Sequence, residues 1–190
     1  MGISRFSRIH PTAIIAPSAS LKVFTPPDPG TVCLLVDEYS HLFGNFTILR
    51  PHARIKIGKR CQIGQVDLIA SQRIEIGDDV LMAWGITLMD NDSHAVAWEH
   101  RKNDQRQCYI DYIENKDNFI KNKDWTHVNA KPIIIGDRCW IGFNSTILKG
   151  VVLGDECVVG AGSVVTRSFP AGSVIAGNPA HIIKEHGGLV

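Results

Sequence analysis

The segment IGDRCWIGFNSTILKGVVLGDECVVGAGSVV, residues 135–165, decides the fold of this chain because an aliphatic residue returns at every sixth position. The series extends just past this segment, and its members are Ile135, Ile141, Ile147, Leu153, Val159, Val165 and Ala171. A period of six matches neither the 3.6 residues of a helical turn nor the period of two of a strand. It is typical of short strands separated by corners, in which three hexapeptides close one triangular coil of about 18 residues. The segment therefore predicts a parallel β-helix.

A second series lies four residues after each member of the first: Cys139, Ser145, Val151, Cys157, Ser163 and Phe169. We expect these side chains also to point into the coil. Residues 18 apart stack about 4.8 Å from each other along parallel strands. Cys139 and Cys157 should therefore be neighbours, and we expect two buried free thiols with a structural role.

The same period recurs upstream of the quoted segment, so the coil should begin near the N-terminus. Its earlier members are Ile9, Ile15, Leu21, Val36, Leu42, Ile48, Ile57, Ile63, Ile76, Met82 and Leu88. Two segments interrupt it, a proline-rich connection over 24–30 and a polar, aromatic stretch over about 90–131. A loop of the second length is usually functional or disordered, and its aromatic residues favour packing. We predict one all-β domain over 1–190, with this long loop and a short C-terminal helix that starts at Asn178-Pro179 and carries Lys184.

Composition excludes several classes of function. The 190 residues include 20 Lys and Arg against 19 Asp and Glu, a net charge of +1. Such a balance provides no electrostatic surface for nucleic acid or for an anionic membrane. No apolar run approaches the ~20 residues that span a bilayer, so no membrane insertion is expected. Five cysteines without paired spacing favour a reducing compartment, and the protein is expected in the cytoplasm.

The candidate catalytic residue stands where the larger interruption of the period of six begins. Counting by sixes from Ile76 through Leu88 leads to His94, a polar residue at a position that should be apolar. Such local inconsistencies are expected at functional sites. Histidine is suited to general base catalysis near neutral pH. Asp92 or Asp90 is expected to orient the ring and to stabilise its protonated form.

Three motifs in the C-terminal third carry a resemblance to a known family. They are Cys139-Trp140-Ile141-Gly142 through Gly150-Val151, Val159 through Arg167, and Ala176-Gly177-Asn178-Pro179-Ala180. They resemble the hexapeptide-repeat acyltransferases, and most of all the sugar O-acetyltransferases of the maltose/galactoside and capsule/lipopolysaccharide types. The resemblance implies a left-handed coil, a homotrimer with acetyl-CoA between neighbouring subunits, and acetyl transfer to a hydroxyl of a sugar or polysaccharide unit.

The resemblance also implies roles for particular residues. His94 matches the family's catalytic base, which leads out of the coil before a long loop. Small residues that let the pantetheine arm approach are expected to line the cofactor, and a basic pair its phosphates; the cofactor-binding positions are Gly142, Phe143, Gly160, Ala161, Thr166, Arg167 and Lys184. The backbone N–H of Phe143 is a candidate oxyanion donor.

For the acceptor, the family's asparagine one coil before the base is missing around Gly64–Asp67, so Gln65 or Asp67 is expected in its place. Aromatic faces stack on sugars, and Trp84 and Trp125 are the candidate acceptor-binding aromatics.

Three other functions remain open at this stage. N-acetylation of an amino sugar or an antibiotic needs the same base and groove. A non-catalytic β-helix would use the coil only as a scaffold. A zinc enzyme like the β-helical carbonic anhydrases would need a rigid site from His94, His100 and His127, of which the last two lie in the long loop. No metal is expected.

Overall fold

The computed structural model describes residues 3–116 and 118–185. A 3-10 helix over Ile3–Phe6 precedes twenty short strands, and two α-helices lie between the twelfth and thirteenth. The strands are β1 Ser7–Ile9, β2 Ile14–Ile15, β3 Ser20–Val23, β4 Leu34–Val36, β5 His41–Leu42, β6 Asn45–Ile48, β7 Arg54–Ile57, β8 Gln62–Ile63, β9 Val66–Ala70, β10 Arg73–Ile76, β11 Leu81–Met82, β12 Ile86–Met89, β13 Ile133–Ile135, β14 Trp140–Ile141, β15 Thr146–Leu148, β16 Val152–Leu153, β17 Val158–Val159, β18 Val164–Val165, β19 Ser173–Gly177 and β20 Ala180–Glu185. The helices are α1 Trp98–Arg101 and α2 Asp104–Asn115.

From β1 to β18, every third strand stacks on one side of a triangular prism, as the period of six predicts. The first face is β1-β4-β7-β10-β13-β16, the second β2-β5-β8-β11-β14-β17-β19-β20, and the third β18-β15-β12-β9-β6-β3. All pairings are parallel except the last, between β19 and β20. We call the bends after the first, second and third face the first, second and third corner. This architecture confirms the predicted parallel β-helix of hexapeptide repeats.

The repeating apolar residues fill the prism as stacked columns. Ile57, Ile76, Ile135 and Leu153 are register partners on consecutive coils of the first face, and each is at most 2% exposed. Burial of each such side chain contributes about 1.5–3 kcal/mol. All six residues of the second inward series are buried as well, and Cys139 and Cys157 are free thiols, which confirms both predictions.

The first corner explains why glycine and aspartate recur in the sequence. The carboxylate of Asp155 accepts the backbone N–H of Asp137 at 3.0 Å, and that of Asp137 accepts the N–H of Asp78 at 2.8 Å. A Cβ on Gly136 would lie 2.7 Å from the backbone nitrogen of Asp155, which is closer than real contacts. Only glycine therefore lets successive coils approach at this corner.

The coil is less regular than a strict repeat of 18. The offset is 18 residues between Ile135 and Leu153, but 22 between Phe46 and Leu68, because the earlier corners are longer. The last position of the series, Ala171, is exposed. Phe169 pairs with Leu153 in its place, and the buried phase resumes at Ser173.

The prediction of a short C-terminal helix is wrong. Residues Ala180–Glu185 form β20, which turns back and pairs antiparallel with β19. The N–H and C=O groups at the free edge of β19 favour an added strand over an isolated helical turn. Lys184 therefore lies on the second face, opposite Val174.

The long loop leaves the coil at the third corner and folds back over the third face. Its two ends are joined, since Asn91 and Ala130 form an antiparallel bridge and Lys131 donates to the carbonyl of Asp90 at 2.9 Å. Its far end is tied to the first coil, where the side chain of Asn118 donates to the carbonyl of Phe24 at 2.8 Å. The loop packs against the coil, as predicted. The sequence did not predict the helices α1 and α2 within it. None of the helices in the described residues is long and apolar enough to cross a membrane.

Candidate active site

His94 lies at the third corner, where the chain passes from β12 into the long loop. Its Nδ1 is 2.5 Å from Oδ2 of Asp104, the first residue of α2. The ring is about half exposed, whereas the Asp104 side chain is 12% exposed. The Lys123 Nζ also lies 3.3 Å from Nδ1. With Nδ1–H donated to Asp104, the lone pair of Nε2 is left for a proton, and Nε2 has no hydrogen-bond partner among the described side chains and backbone.

Lys123 holds the carboxylate from the other side. Its Nζ donates to Oδ2 of Asp104 at 2.8 Å, and the lysine side chain is only 9% exposed. Partial burial acts to raise the pKa of the Asp104 carboxyl, but hydrogen bonds from Lys123 and His94 outweigh it and keep that pKa below its usual range. Asp104 therefore stays ionised beside the imidazole.

Neither predicted carboxylate contacts the His94 ring. Asp92 pairs with Lys149 at 2.5 Å and accepts from Asn129 at 3.3 Å, so it fixes the base of the loop. Asp90 is fully buried and accepts the backbone N–H groups of the preceding coil, those of Ser71, Gln72 and Arg73, at 2.7–2.8 Å. Asp90 thus closes the third corner. The carboxylate at His94 comes instead from a helix ten residues further on.

A cavity of about 670 Å³ opens beside His94, between the outward side of the third face and the long loop. One wall is the outward row Lys22, Thr47, Ile69 and Met89, on four neighbouring strands. The opposite wall comes from α1, α2 and the segment that follows them, and it includes Arg101, Asp104, Cys108, Phe119, Lys123 and Trp125. The size is within the usual range for a small-molecule site.

Of the predicted acceptor residues, only Trp125 lines this cavity. Asp67 lies in the adjacent outward row of the third face, and its carboxylate accepts from the side chain of Asn45 at 3.0 Å. Trp84 projects from the second corner and is 67% exposed. The structure therefore separates Asp67 and Trp84 from the cavity beside His94.

The predicted small residues form a ledge at the second corner, made of Gly142, Phe143, Gly160 and Ala161 on two consecutive coils. A Cβ on Gly142 would lie 2.7 Å from the backbone nitrogen of Ala161, so no larger residue fits there. The N–H groups of Phe143 and Ala161 have no partner within the described chain, while the carbonyl of Phe143 accepts from Gly162 at 2.8 Å. Phe143 itself is 48% exposed. The ledge offers two free backbone donors and an aromatic face.

Thr166 and Arg167 lie at the third corner, two coils beyond His94. Together with the turn Asn178–His181 they line a hollow of about 520 Å³. The guanidinium of Arg167 is 5.3 Å from the centre of the Phe169 ring and has no carboxylate partner in the described residues. Lys184, on β20, does not line this hollow.

The histidines of the zinc hypothesis do not converge. His100 and His127 stack on each other with ring centres 3.6 Å apart, whereas His94 pairs with Asp104. The described residues contain no group of three or more His, Cys, Asp or Glu side chains arranged to hold a metal.

Sequence reasoning missed Asp104, Lys123, Arg101 and Lys22. A signal existed for the first, since Asp104, Cys108 and Asp111 repeat at helical spacing and mark one face of α2. Asp111 is fully buried and accepts from Asn122 through its backbone and its side chain, which fixes the segment that carries Lys123. The contact of Lys22 with the loop depends on tertiary structure alone.

The comparisons with known proteins agree with this architecture. Residues 132–167 match the family model described as the hexapeptide repeat of succinyl-transferase. The polysialic acid O-acetyltransferase of Escherichia coli is 38% identical over 136 residues, which are 70% of this chain and 37% of that protein. The chain spans 30% and 37% of the length of the first two curated relatives that it matches.

Two solved structures share the fold across most of both chains. The crystal structure of the polySia-specific acetyltransferase NeuO has a TM-score of 0.61 at 21% identity, over 95% of this chain and 87% of that one. A mutant N-acyltransferase from Bacillus cereus, in complex with dTDP and coenzyme A, has a TM-score of 0.64 at 19% identity, over 91% and 83%. These findings confirm the left-handed β-helix and the resemblance to hexapeptide-repeat acyltransferases.

Proposed function

We propose that this hexapeptide-repeat chain is an acetyltransferase that moves an acetyl group from acetyl-CoA to a hydroxyl of a saccharide. The observation that carries the proposal is the pair formed by His94 and Asp104, placed at the mouth of a cavity of about 670 Å³. A histidine backed by an ionised carboxylate is the arrangement that a general base requires. The named acetyltransferase activities of the relatives support the same reading.

In this proposal His94 acts through Nε2. Asp104 receives Nδ1–H, which selects the tautomer whose Nε2 accepts the proton of the acceptor hydroxyl. The hydroxyl oxygen then attacks the thioester carbonyl carbon, the C–S bond breaks, and the imidazolium returns its proton to the departing thiolate. Asp104 stabilises the imidazolium between these steps, and Lys123 keeps Asp104 in place.

The ledge at the second corner fits the co-substrate. Pantetheine needs backbone groups along a groove, and Phe143 and Ala161 present free N–H donors next to residues without bulky side chains. The N–H of Phe143 is suited to hold the carbonyl oxygen as negative charge develops on it. Arg167, which lacks a carboxylate partner within the described residues, is suited to the phosphates.

The separation of these groups supports a homotrimer. His94 is at the third corner and Phe143 at the second, and the third face between them is four residues wide, about 13 Å at 3.3 Å per residue. A neighbouring chain is then needed to bring a ledge to each His94. The exposed side chains of Leu81 and Trp140, stacked on the second face, provide an apolar surface for that contact. Light scattering should give a trimer mass, and a monomer would contradict this model.

The reducing surroundings expected from the cysteines favour a cytoplasmic location. All five cysteines are free, including Cys61 and Cys139 in the core.

An amine acceptor would use the same His94, and a panel of sugars and amino sugars distinguishes transfer to a hydroxyl from transfer to an amine.

The test compares acetyl transfer by the wild type and the His94→Ala variant on a panel of sugars and amino sugars. The release of the CoA thiol is the measured signal. We expect kcat to fall by about 10²–10⁴, the range for loss of a general base, with little change in KM for acetyl-CoA. The matched control is His127→Ala, which removes a loop histidine outside the cavity and should retain activity. Near-normal turnover by His94→Ala would overturn the proposal.

A further inference from the structure

We propose that the cavity beside His94 selects an acidic saccharide and that Lys22 is the residue that recognises its negative charge. This inference rests on the proposed function, because it names the class of acceptor for the same site. It concerns the part of the acceptor that lies away from the reacting hydroxyl.

The charges on the cavity wall do not balance. Three cationic side chains line it, Lys22, Arg101 and Lys123, against the single carboxylate of Asp104. Lys123 is paired with that carboxylate at 2.8 Å. Lys22 and Arg101 form no ion pair with any described residue, and Arg101 is directed to loop carbonyls, those of Ala95 and Val96. Among the three cations, Lys22 is thus the one without an ion pair or a carbonyl partner in the described residues.

Lys22 is held in place by aromatic rings. Its Nζ is 4.5 Å from the ring centre of Phe24 and 5.6 Å from that of Phe119. The two rings meet edge to face at 5.1 Å, and Asn118 ties the loop to the carbonyl of Phe24. Contacts to aromatic faces fix the ammonium group without neutralising its charge. An anion that binds there meets a pre-positioned cation next to apolar rings, which suits a sugar with a charged substituent.

The register places this cation apart from the base. Lys22, Thr47, Ile69 and Met89 are partners on four neighbouring strands, and His94 follows Met89 closely in the chain. Three strand spacings of about 4.8 Å separate the Cα atoms of Lys22 and Met89 by roughly 14 Å. An acceptor that reaches both ends therefore carries its charge on a unit other than the one being acetylated. We infer an acidic oligosaccharide.

The experiment measures binding, which needs neither acetyl-CoA nor turnover. Calorimetric titrations compare disialic acid and digalacturonic acid with their methyl esters, in which each carboxylate loses its charge and gains one methyl group. Because Lys22 is exposed, we expect the wild-type protein to bind one of the acids about 3- to 5-fold more tightly than its ester at low salt, with a smaller ratio at high salt.

The Lys22→Gln variant should reduce the ratio to about one. The matched control is Lys56→Gln, which removes the same charge from an exposed strand position on the first face and should keep the full ratio. Equal binding of acid and ester by the wild type, or an unchanged ratio in Lys22→Gln, would overturn the inference. Because His94 is intact in both variants, loss of acetyl transfer in His94→Ala and loss of charge selection in Lys22→Gln are separate results.

Discussion

Replacement of Asp104 by asparagine tests whether the carboxylate on α2 positions His94, the proposed general base. The substitution keeps the size of the side chain and removes its charge. Two unit charges about 4 Å apart attract by about 4 kcal/mol at an effective dielectric constant of 20. The His94 side chain is 56% exposed and Lys123 Nζ lies 3.3 Å from Nδ1, so solvent and this second cation offset part of the attraction. About 1.5–2.5 kcal/mol, the lower part of the range for a hydrogen bond to a charged group, remains to stabilise the imidazolium. We expect kcat to fall by about 10- to 70-fold.

The assay is thiol release from acetyl-CoA with the best acceptor of the panel. KM for acetyl-CoA should not change, because Asp104 lies in the cavity that we propose for the acceptor. The matched control is Asp92→Asn, which changes one of the two carboxylates that the sequence predicted beside His94. Asp92 contacts Lys149 and not the ring, so this variant should keep kcat within about threefold of wild type.

A second variant separates positioning from stability. Asp104→Asn leaves the Lys123 ammonium unpaired at 9% exposure, which costs about 1–3 kcal/mol of unfolding free energy. Adding Lys123→Gln removes that unpaired charge and should restore most of the stability while kcat stays low. Normal turnover by Asp104→Asn, or recovery of kcat in the double variant, would refute the role of Asp104.

Three further predictions follow from other parts of the structure. Arg167→Ala should raise KM for acetyl-CoA by about 3- to 10-fold with kcat nearly unchanged, because a partly exposed phosphate contact is made equally in the ground and transition states; an unchanged KM in steady-state kinetics would place the phosphates elsewhere. Labelling of the native protein by a thiol reagent should be slow at Cys139 and Cys157, because both are at most 1% exposed, and faster at Cys108 in the cavity wall. The hydrogen bond to Cys157 and burial also raise the pKa of the Cys139 thiol. Rapid labelling of the buried pair would contradict the packing. Because the pKa of Asp104 is lowered in the folded protein, its contribution to stability should be complete above the unfolded value of about 3.9 and be lost as the pH falls through the lower folded value; melting temperatures of wild type and Asp104→Asn should therefore converge only below about pH 4.

The fold was predictable because a coil repeats one local rule many times. Each hexapeptide places one apolar residue inward, and partners such as Ile141 and Val159 need only an 18-residue offset to stack. The hexapeptide rule did not predict β20, the C-terminal strand at the edge of the second face. Residues after Pro179 have no period of their own, and the free edge of β19 decides that they form a strand.

The candidate base was predictable for the same reason, since His94 occupies a position where the rule requires an apolar residue. The carboxylate that contacts His94 was not predictable, because Asp92 is close to His94 in the sequence, whereas Asp104 is close to it only in the folded structure. The φ of Ser93 is 58°, a left-handed turn that directs the chain away from the coil between Asp92 and His94. A turn of this kind sends the two side chains in different directions.

The sequence by itself determined the coil, its buried columns, the small residues of the ledge and the position of the histidine, because each depends on a repeat or on its interruption. Only the tertiary structure decided which carboxylate and which lysine serve His94. It also brought Lys22, from the third strand, to a cavity closed by residues about a hundred positions later. The physical reason is that a β-helix places distant segments side by side on one face, whereas the loop that covers this face follows no repeat. Its position is fixed by single contacts, such as those of Asn118 with Phe24 and of Asp111 with Asn122.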